Sequence, residues 1–162
     1  TLFPYTTLFR SEVALLPVDA AALAREVARE WTPRAVAAGV DLGYEGEESL
    51  TVPADKLLLR EALSNLLDNA IRYAGRGTTV TLRALHRDGQ CVLEVEDNGP
   101  GLSPSDLQHV FERFWRASEM PGGCGLGLAI VAEIAQRHGG AAIALGAHPQ
   151  GLLIRLQLRG TL

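Results

Sequence analysis

Lys56-Leu-Leu-Leu-Arg60-Glu61-Ala-Leu-Ser-Asn65-Leu-Leu-Asp-Asn69-Ala-Ile-Arg72-Tyr73-Ala74 decides how the chain is read. At about 100° per residue, Leu59, Ala62, Leu63, Leu66, Leu67 and Ala70 share one arc of a helical wheel. Glu61, Asn65, Asp68, Asn69 and Arg72 share the opposite arc. The apolar arc predicts a helix over Lys56–Ala74 that packs on a core, with Asp55 as its cap. A solvated face would account for most polar arcs, but such a face more naturally takes Glu, Lys or Arg. Asparagine is a poor mid-helix residue because its amide competes with the backbone. Asn65 and Asn69, one turn apart beside Glu61, gather hard neutral oxygens and a carboxylate. Such a set suits Mg²⁺ that arrives already bound to phosphates.

Outward from this helix the pattern alternates between helices and strands. Upstream, Val13–Leu16 reads as a short extended lead. Asp19 caps a helical pattern from Ala20 to Ala38, with Leu23, Val27 and Trp31 at helical spacing. Pro33 predicts a kink in it and Gly39 a stop. Val40–Tyr44 and Ser49–Val52 read as two short strands around the turn Glu45-Gly46-Glu47-Glu48. Downstream, Thr78–His86 and Gln90–Glu96 alternate as a hairpin across Arg87-Asp88-Gly89. A short helix is expected near Leu107–Phe111, and a long one from the glycine-rich 121–127 stretch to about His138, stopped by Gly139-Gly140. Ala141–Leu145 and Leu152–Leu158 read as the last strands. Three long helices and about five strands, outside strict β-α-β alternation, predict an α+β protein. Its form is a two-layer α/β sandwich, a mixed sheet packed against three helices.

The chain has 162 residues, 47% of them hydrophobic and 21% charged, enough for one domain with a real core. Fifteen Lys plus Arg against nineteen Asp plus Glu leave a net charge of −4. Binders of nucleic acid carry a basic excess, so nucleic acid is not an expected partner. No apolar run approaches the ~18–20 residues of a membrane span, and no direct membrane contact is expected of this stretch. Cys91 and Cys124 are too few and too far apart for a disulfide scaffold and fit a reducing compartment. His86, His109, His138 and His148 show no metal-ligand spacing and read as surface or cap residues. Lys56 is the only lysine and follows Asp55, which excludes a Walker-type phosphate loop. Residues 1–11, Thr-Leu-Phe-Pro-Tyr-Thr-Thr-Leu-Phe-Arg-Ser, differ in composition from the rest and resemble the translation of a sequencing-adapter oligonucleotide. They are read as non-native and 12–162 as the domain, from a reading frame truncated upstream of about Glu12.

Two further stretches carry chemistry. Asp97-Asn98-Gly99-Pro100-Gly101 resembles a hairpin turn, yet a helix start at Ser103–Asp106 follows it instead of a strand. A carboxylate ending a buried strand can accept a hydrogen bond from a ligand amine. Gly122-Gly123-Cys124-Gly125-Leu126-Gly127 leads directly into a helix, where close backbone approach and free N–H groups suit phosphate. It is no dinucleotide fingerprint, because the third glycine would fall at Leu128.

In this order the three stretches resemble the catalytic ATP-binding domain of bacterial sensor histidine kinases, in the superfamily that includes gyrase B and the Hsp90 chaperones. Glu61–Ala70 matches the asparagine box, Asp97–Gly101 the first glycine box and Gly123–Leu128 the second. Phe111-Glu112-Arg113-Phe114-Trp115-Arg116 matches the phenylalanine box. The resemblance implies ATP and Mg²⁺ as cofactors. It makes Asn69 the principal Mg²⁺ ligand with Asn65 beside it, and has Glu61 orient groups around the metal and the reacting phosphate. Asp97 would read the adenine amine, while Gly99 and Gly101 shape its pocket. Arg72 and Tyr73 would face the phosphates and ribose. Gly123, Gly125 and Gly127, with Leu126 and Leu128 in the same box, would form a hinged, phosphate-facing lid. Phe111 and Phe114 are either ordinary core or the anchors of the lid's base, and Cys124 is a tolerated small residue. The stretch Ala117-Ser-Glu-Met-Pro121 lacks basic residues, which predicts few lid contacts to phosphate.

None of the four histidines is followed by the H-[DE]-x-x-x-P pattern of a phospho-accepting helix. The expected partners are therefore a dimerisation-and-histidine-phosphotransfer domain of the same protein and a response-regulator receiver domain. The expected location is the cytoplasmic side of an inner-membrane-anchored sensor. Two alternatives stay open: an anti-sigma-factor type serine kinase of the same fold, and a nucleotide-gated ATPase module.

Overall fold

The computed structural model describes residues 13–117 and 125–160. Its strands are β1 (Leu16–Asp19), β2 (Asp41–Gly46), β3 (Thr51–Ala54), β4 (Thr79–Arg87), β5 (Gln90–Asp97), β6 (Ala141–Gly146) and β7 (Leu152–Leu158). Its helices are α1 (Ala20–Ala37), α2 (Lys56–Ala74), the short α3 (Pro104–Leu107) and α4 (Gly127–Arg137). Five strands form a mixed sheet in the order β2-β4-β5-β7-β6, with only the β2–β4 pair parallel. The α+β sandwich read from the sequence is what forms.

Alternation along the strands sorts the two faces. Val80, Leu82, Ala84, Leu93, Val95, Ile154 and Leu156 point into one core shared with Leu59, Leu63, Leu66 and Leu67 of α2 and Val131 and Ile134 of α4. Cys91 lies in this core, and burial pushes its thiol up to about 12. The other face carries Glu45, Arg83, Glu94 and Arg155 in direct cross-strand register over β2, β4, β5 and β7. Signs alternate along that row, and Glu94 is buried between its neighbours, 2.9 Å from Arg155 and 3.6 Å from Arg83.

α2 has the bounds its periodicity predicts, and Asp55 caps it by accepting the Leu58 N–H. Three local expectations are corrected. β2 and β3 do not pair with each other: β2 lies parallel to β4, while β3 runs antiparallel to β1 in a separate two-stranded sheet. Asp19 is the reason, because its carboxylate accepts from the Ala22 and Leu50 N–H groups and the Ser49 hydroxyl, joining β1, α1 and the start of β3. Glu45 and Gly46 consequently belong to β2 rather than to a turn. The short helix begins within the expected Ser103–Asp106 start, at Pro104 with Ser103 capping it through the Asp106 N–H, but ends at Leu107 instead of running to Phe111. The strand at the start of the described chain is Leu16–Asp19 instead of Val13–Leu16. α1 runs through Pro33 to Ala37 without ending there. Among the described residues no helix is long and apolar enough to cross a membrane.

Candidate functional site

Most of the polar arc of α2 lines a cavity. Asn65, Asp68, Asn69, Arg72 and Tyr73 form one wall of an open cavity of ≈ 320 Å³. Gly125 to Leu128 and Ile130, at the start of α4, form the wall opposite, and Leu102, Val110, Trp115 and Leu152 supply apolar lining. Asn65 is held in one orientation: its Nδ2 donates to the Glu61 carbonyl at 3.1 Å, one turn back. A carbonyl only accepts, so the amide nitrogen must lie there and Oδ1 points away, toward Gly127. Asp68 holds the Arg72 guanidinium at 3.2 Å within the same wall.

The amino end of α4 enters this cavity with Leu126 at its cap position, and among the described residues no side chain caps it. The first N–H groups of a helix have no partner within the helix, and the helix dipole adds positive potential there. Set against Asn65 and Asn69, with Arg72 and Arg116 on the lining, this is an environment for phosphate oxygens. Among the described residues no three His, Cys, Asp or Glu side chains gather as a cation cage. Neutral carboxamide oxygens fit a divalent ion that phosphates carry in, not a resident metal.

Asp97 ends β5 and is 6% exposed. Its Oδ1 accepts the Gly99 N–H at 2.9 Å and the Leu152 N–H at 3.4 Å. Burial raises its carboxyl above the ordinary range, partly offset by those two N–H groups. Asp97, Gly99 and Gly101 do not line the cavity themselves; Asp97 connects to its wall through the Leu152 N–H. The glycines permit close packing. A Cβ at Gly99 would meet the Ala74 backbone at 2.7 Å, and one at Gly101 would meet the Gly151 carbonyl oxygen at 2.8 Å.

Other expected site residues are placed differently. Glu61 is exposed and borders a second, neighbouring cavity of ≈ 290 Å³ with Leu58, Arg113, Ala129 and Glu133; Leu126 and Ile130 line both cavities. Phe111 packs on the core, whereas Phe114 is 71% exposed at φ 65°. There its N–H donates to the Gly125 carbonyl, joining the two ends of the 114–125 stretch. Gly123 and Cys124 lie outside the described residues. Trp115, Arg116, Leu102, Val110 and Leu152 line the cavity without having been singled out. Trp115 and Arg116 did carry a signal, as the end of the phenylalanine box. His138, expected at the surface or as a cap, is the C-cap of α4 but is buried at 3% exposure.

Residues 54–161 match the family of histidine kinase-, DNA gyrase B- and HSP90-like ATPases. The chain belongs to that family. Sensor protein IrlS of Burkholderia pseudomallei (strain K96243) is 38% identical over 135 residues, covering 81% of this chain and 29% of IrlS. The structure of the mycobacterial sensor histidine kinase MprB superposes with a TM-score of 0.80 at 31% identity, over 90% of this chain and 98% of that one. Full-length ShkA, solved in complex with AMPPNP, superposes with a TM-score of 0.83 at 33% identity, over 93% of this chain and 32% of ShkA. The chain spans less than a third of the length of curated relatives such as IrlS and the histidine-protein kinase BaeS of Escherichia coli (strain K12).

Proposed function

We propose that this ATPase-family domain binds ATP with Mg²⁺ and donates the γ-phosphoryl group to a histidine on a dimerisation-and-phosphotransfer domain, for relay to a response-regulator receiver. One observation carries the reading: the carboxamides of α2 and the amino end of α4 line the same cavity. Asp97 receives the adenine amine on Oδ2, since Oδ1 already holds two N–H groups. Asn69 and Asn65 hold the Mg²⁺–phosphate unit, and bound Mg²⁺ neutralises phosphate charge. Arg72, Arg116 and the α4 N–H groups take further phosphate oxygens, and Tyr73 lies on the ribose side. The acceptor imidazole attacks in line: a P–N bond forms as the bond to the β-phosphate oxygen breaks, and ADP leaves. Glu61, bordering the groove beside the reacting end, orients the acceptor and the proton it loses. Positioning and charge neutralisation supply the catalysis, as in other phosphoryl transfers. Such a domain works on the cytoplasmic side of an inner-membrane-anchored sensor, and residues 12–162 constitute it.

The test is calorimetry with ATP and Mg²⁺, followed by transfer to isolated acceptor domains. A saturable heat of binding and acid-labile phosphate on the acceptor are expected. Acid-stable phosphoserine on a partner would move the assignment to the anti-sigma kinase class. Binding with no transfer to any acceptor would leave an ATPase module.

A further inference from the structure

His138 is a buried imidazole that the nucleotide site does not use. It ends α4, and both of its ring nitrogens are engaged: Nδ1 lies 2.7 Å from the Ile134 carbonyl oxygen, and Nε2 lies 3.0 Å from the Asp55 backbone nitrogen, 83 residues away. The partners determine the tautomer. A carbonyl only accepts, so Nδ1 carries the hydrogen; an amide N–H only donates, so Nε2 presents its lone pair. The ring is therefore neutral, and its one acceptor atom grips the cap residue of α2. Asp55 is itself committed, since its carboxylate holds the Leu58 N–H at 3.1 Å in the first turn of that helix.

α2 and α4 form the two walls of the cavity and run antiparallel. Gly127 at the start of α4 stands beside Asn65, while His138 at its end meets Asp55, ten residues before Asn65. At 1.5 Å per residue the His138–Asp55 contact lies about 15 Å from the cavity end of the pair. Between those ends the helices touch through aliphatic side chains such as Leu59, Leu63, Val131 and Ile134, which resist separation but do not fix sliding or rotation. The directional contact at the closed end does.

We infer that His138 is a positioning residue. Its Nε2 pins the cap of α2 to the end of α4 and so sets the register in which Asn65 and Asn69 face the amino end of α4, at the phosphate end of the cavity. This rests on the ATP-binding reading given above. Asp97 reads adenine from β5 and is reached through Leu152 of β7, so the pin acts on the phosphate end and leaves the base end alone.

Two variants separate the atoms of the ring. In His138→Gln the side-chain oxygen reaches the Nε2 position and can accept from the Asp55 N–H. In His138→Asn the amide nitrogen reaches only the Nδ1 position, so the Ile134 bond stays and the Asp55 bond is lost. Calorimetry below the unfolding temperature should show His138→Asn losing about tenfold in ATP–Mg²⁺ affinity, with AMP affinity unchanged and His138→Gln close to wild type. Equal behaviour of the two variants, or equal losses for ATP and AMP, would overturn the inference. Nitrogen NMR of the wild-type ring decides it independently of how well the variants fold. An unprotonated Nε2 with scalar coupling to the Asp55 amide is expected, and a protonated Nε2 would overturn the pin. A wild-type chain that fails to bind ATP would sink the functional reading while leaving the ring measurement to decide the pin.

Discussion

On the proposed reading Asp97 carries opposing demands, because the carboxylate that would accept an adenine amine is also buried and penalised when charged. Its folded-state titration is raised above the unfolded value by burial, so the free domain is favoured on the acid side of that range. This contribution is lost as pH rises through the folded value. Ligand binding has the opposite sign: protonation removes the acceptor, so ATP affinity should fall with acidification at a higher pH than for an ordinary carboxylate. Asp97→Asn tests both signs at neutral pH. Its amide oxygen can still hold the Gly99 and Leu152 N–H groups, so thermal unfolding of the free domain should be unchanged or slightly higher. Nucleotide affinity should drop by the ~1.5–3 kcal/mol of a charge-assisted hydrogen bond. Wild-type affinity in this variant would remove Asp97 from base reading. Asn69→Ala offers a second residue-scale test, since alanine favours a helix and removes only the carboxamide that lines the cavity. Affinity should fall with Mg²⁺ present and hold without it; equal losses would make Asn69 structural.

The sheet's outer face shows how an element is held by a row of alternating charges. Glu94 lies between Arg83 and Arg155, and its side chain is 5% exposed while theirs are 21% and 19%. Glu94→Ala would leave two partly buried guanidinium groups short of an acceptor. Removing one partner of a buried ion pair costs ~3–5 kcal/mol, and Arg83 keeps Glu45 and Glu96, so about 2–3 kcal/mol is expected by denaturant unfolding. An unchanged midpoint would mean the row is ornamental to stability. This row was not legible in the sequence, whereas α2 was. The helix repeats its pattern every few residues, so Leu59, Leu63 and Leu66 announce it locally. The register that aligns Glu45, Arg83, Glu94 and Arg155 depends on partners up to 110 residues apart. The same limit explains β2 and β3, which look like neighbours but are separated by what Asp19 and β4 offer them. In the site, asparagines stood out because they are poor helix residues without a task. Leu102, Val110 and Leu152 look like any core residue, and only the folded chain shows that they line the cavity.

At the scale of the whole molecule, the fold brings the proposed adenine reader at the end of β5, the carboxamides of α2 and the amino end of α4 to a common region. It does not bring an acceptor. His138 is buried with both nitrogens bonded, and His109 holds Glu112 at 2.9 Å and stacks against Trp115. His86 and His148 are exposed, on the β4 strand and in the β6–β7 connection, and neither lies on a helix in an acceptor pattern. The chain incubated alone with ATP and Mg²⁺ should therefore accumulate no stable phosphohistidine. Supplied with a compatible dimerisation-and-histidine domain, it should phosphorylate that domain in trans. The rate should be low, because a covalent tether normally supplies an effective concentration on the order of millimolar and mixing at micromolar levels forgoes it. Raising the acceptor concentration should therefore increase the rate in near proportion. Phosphate that appears on this chain itself, at a rate independent of added acceptor, would contradict the assignment of donor and acceptor to separate domains.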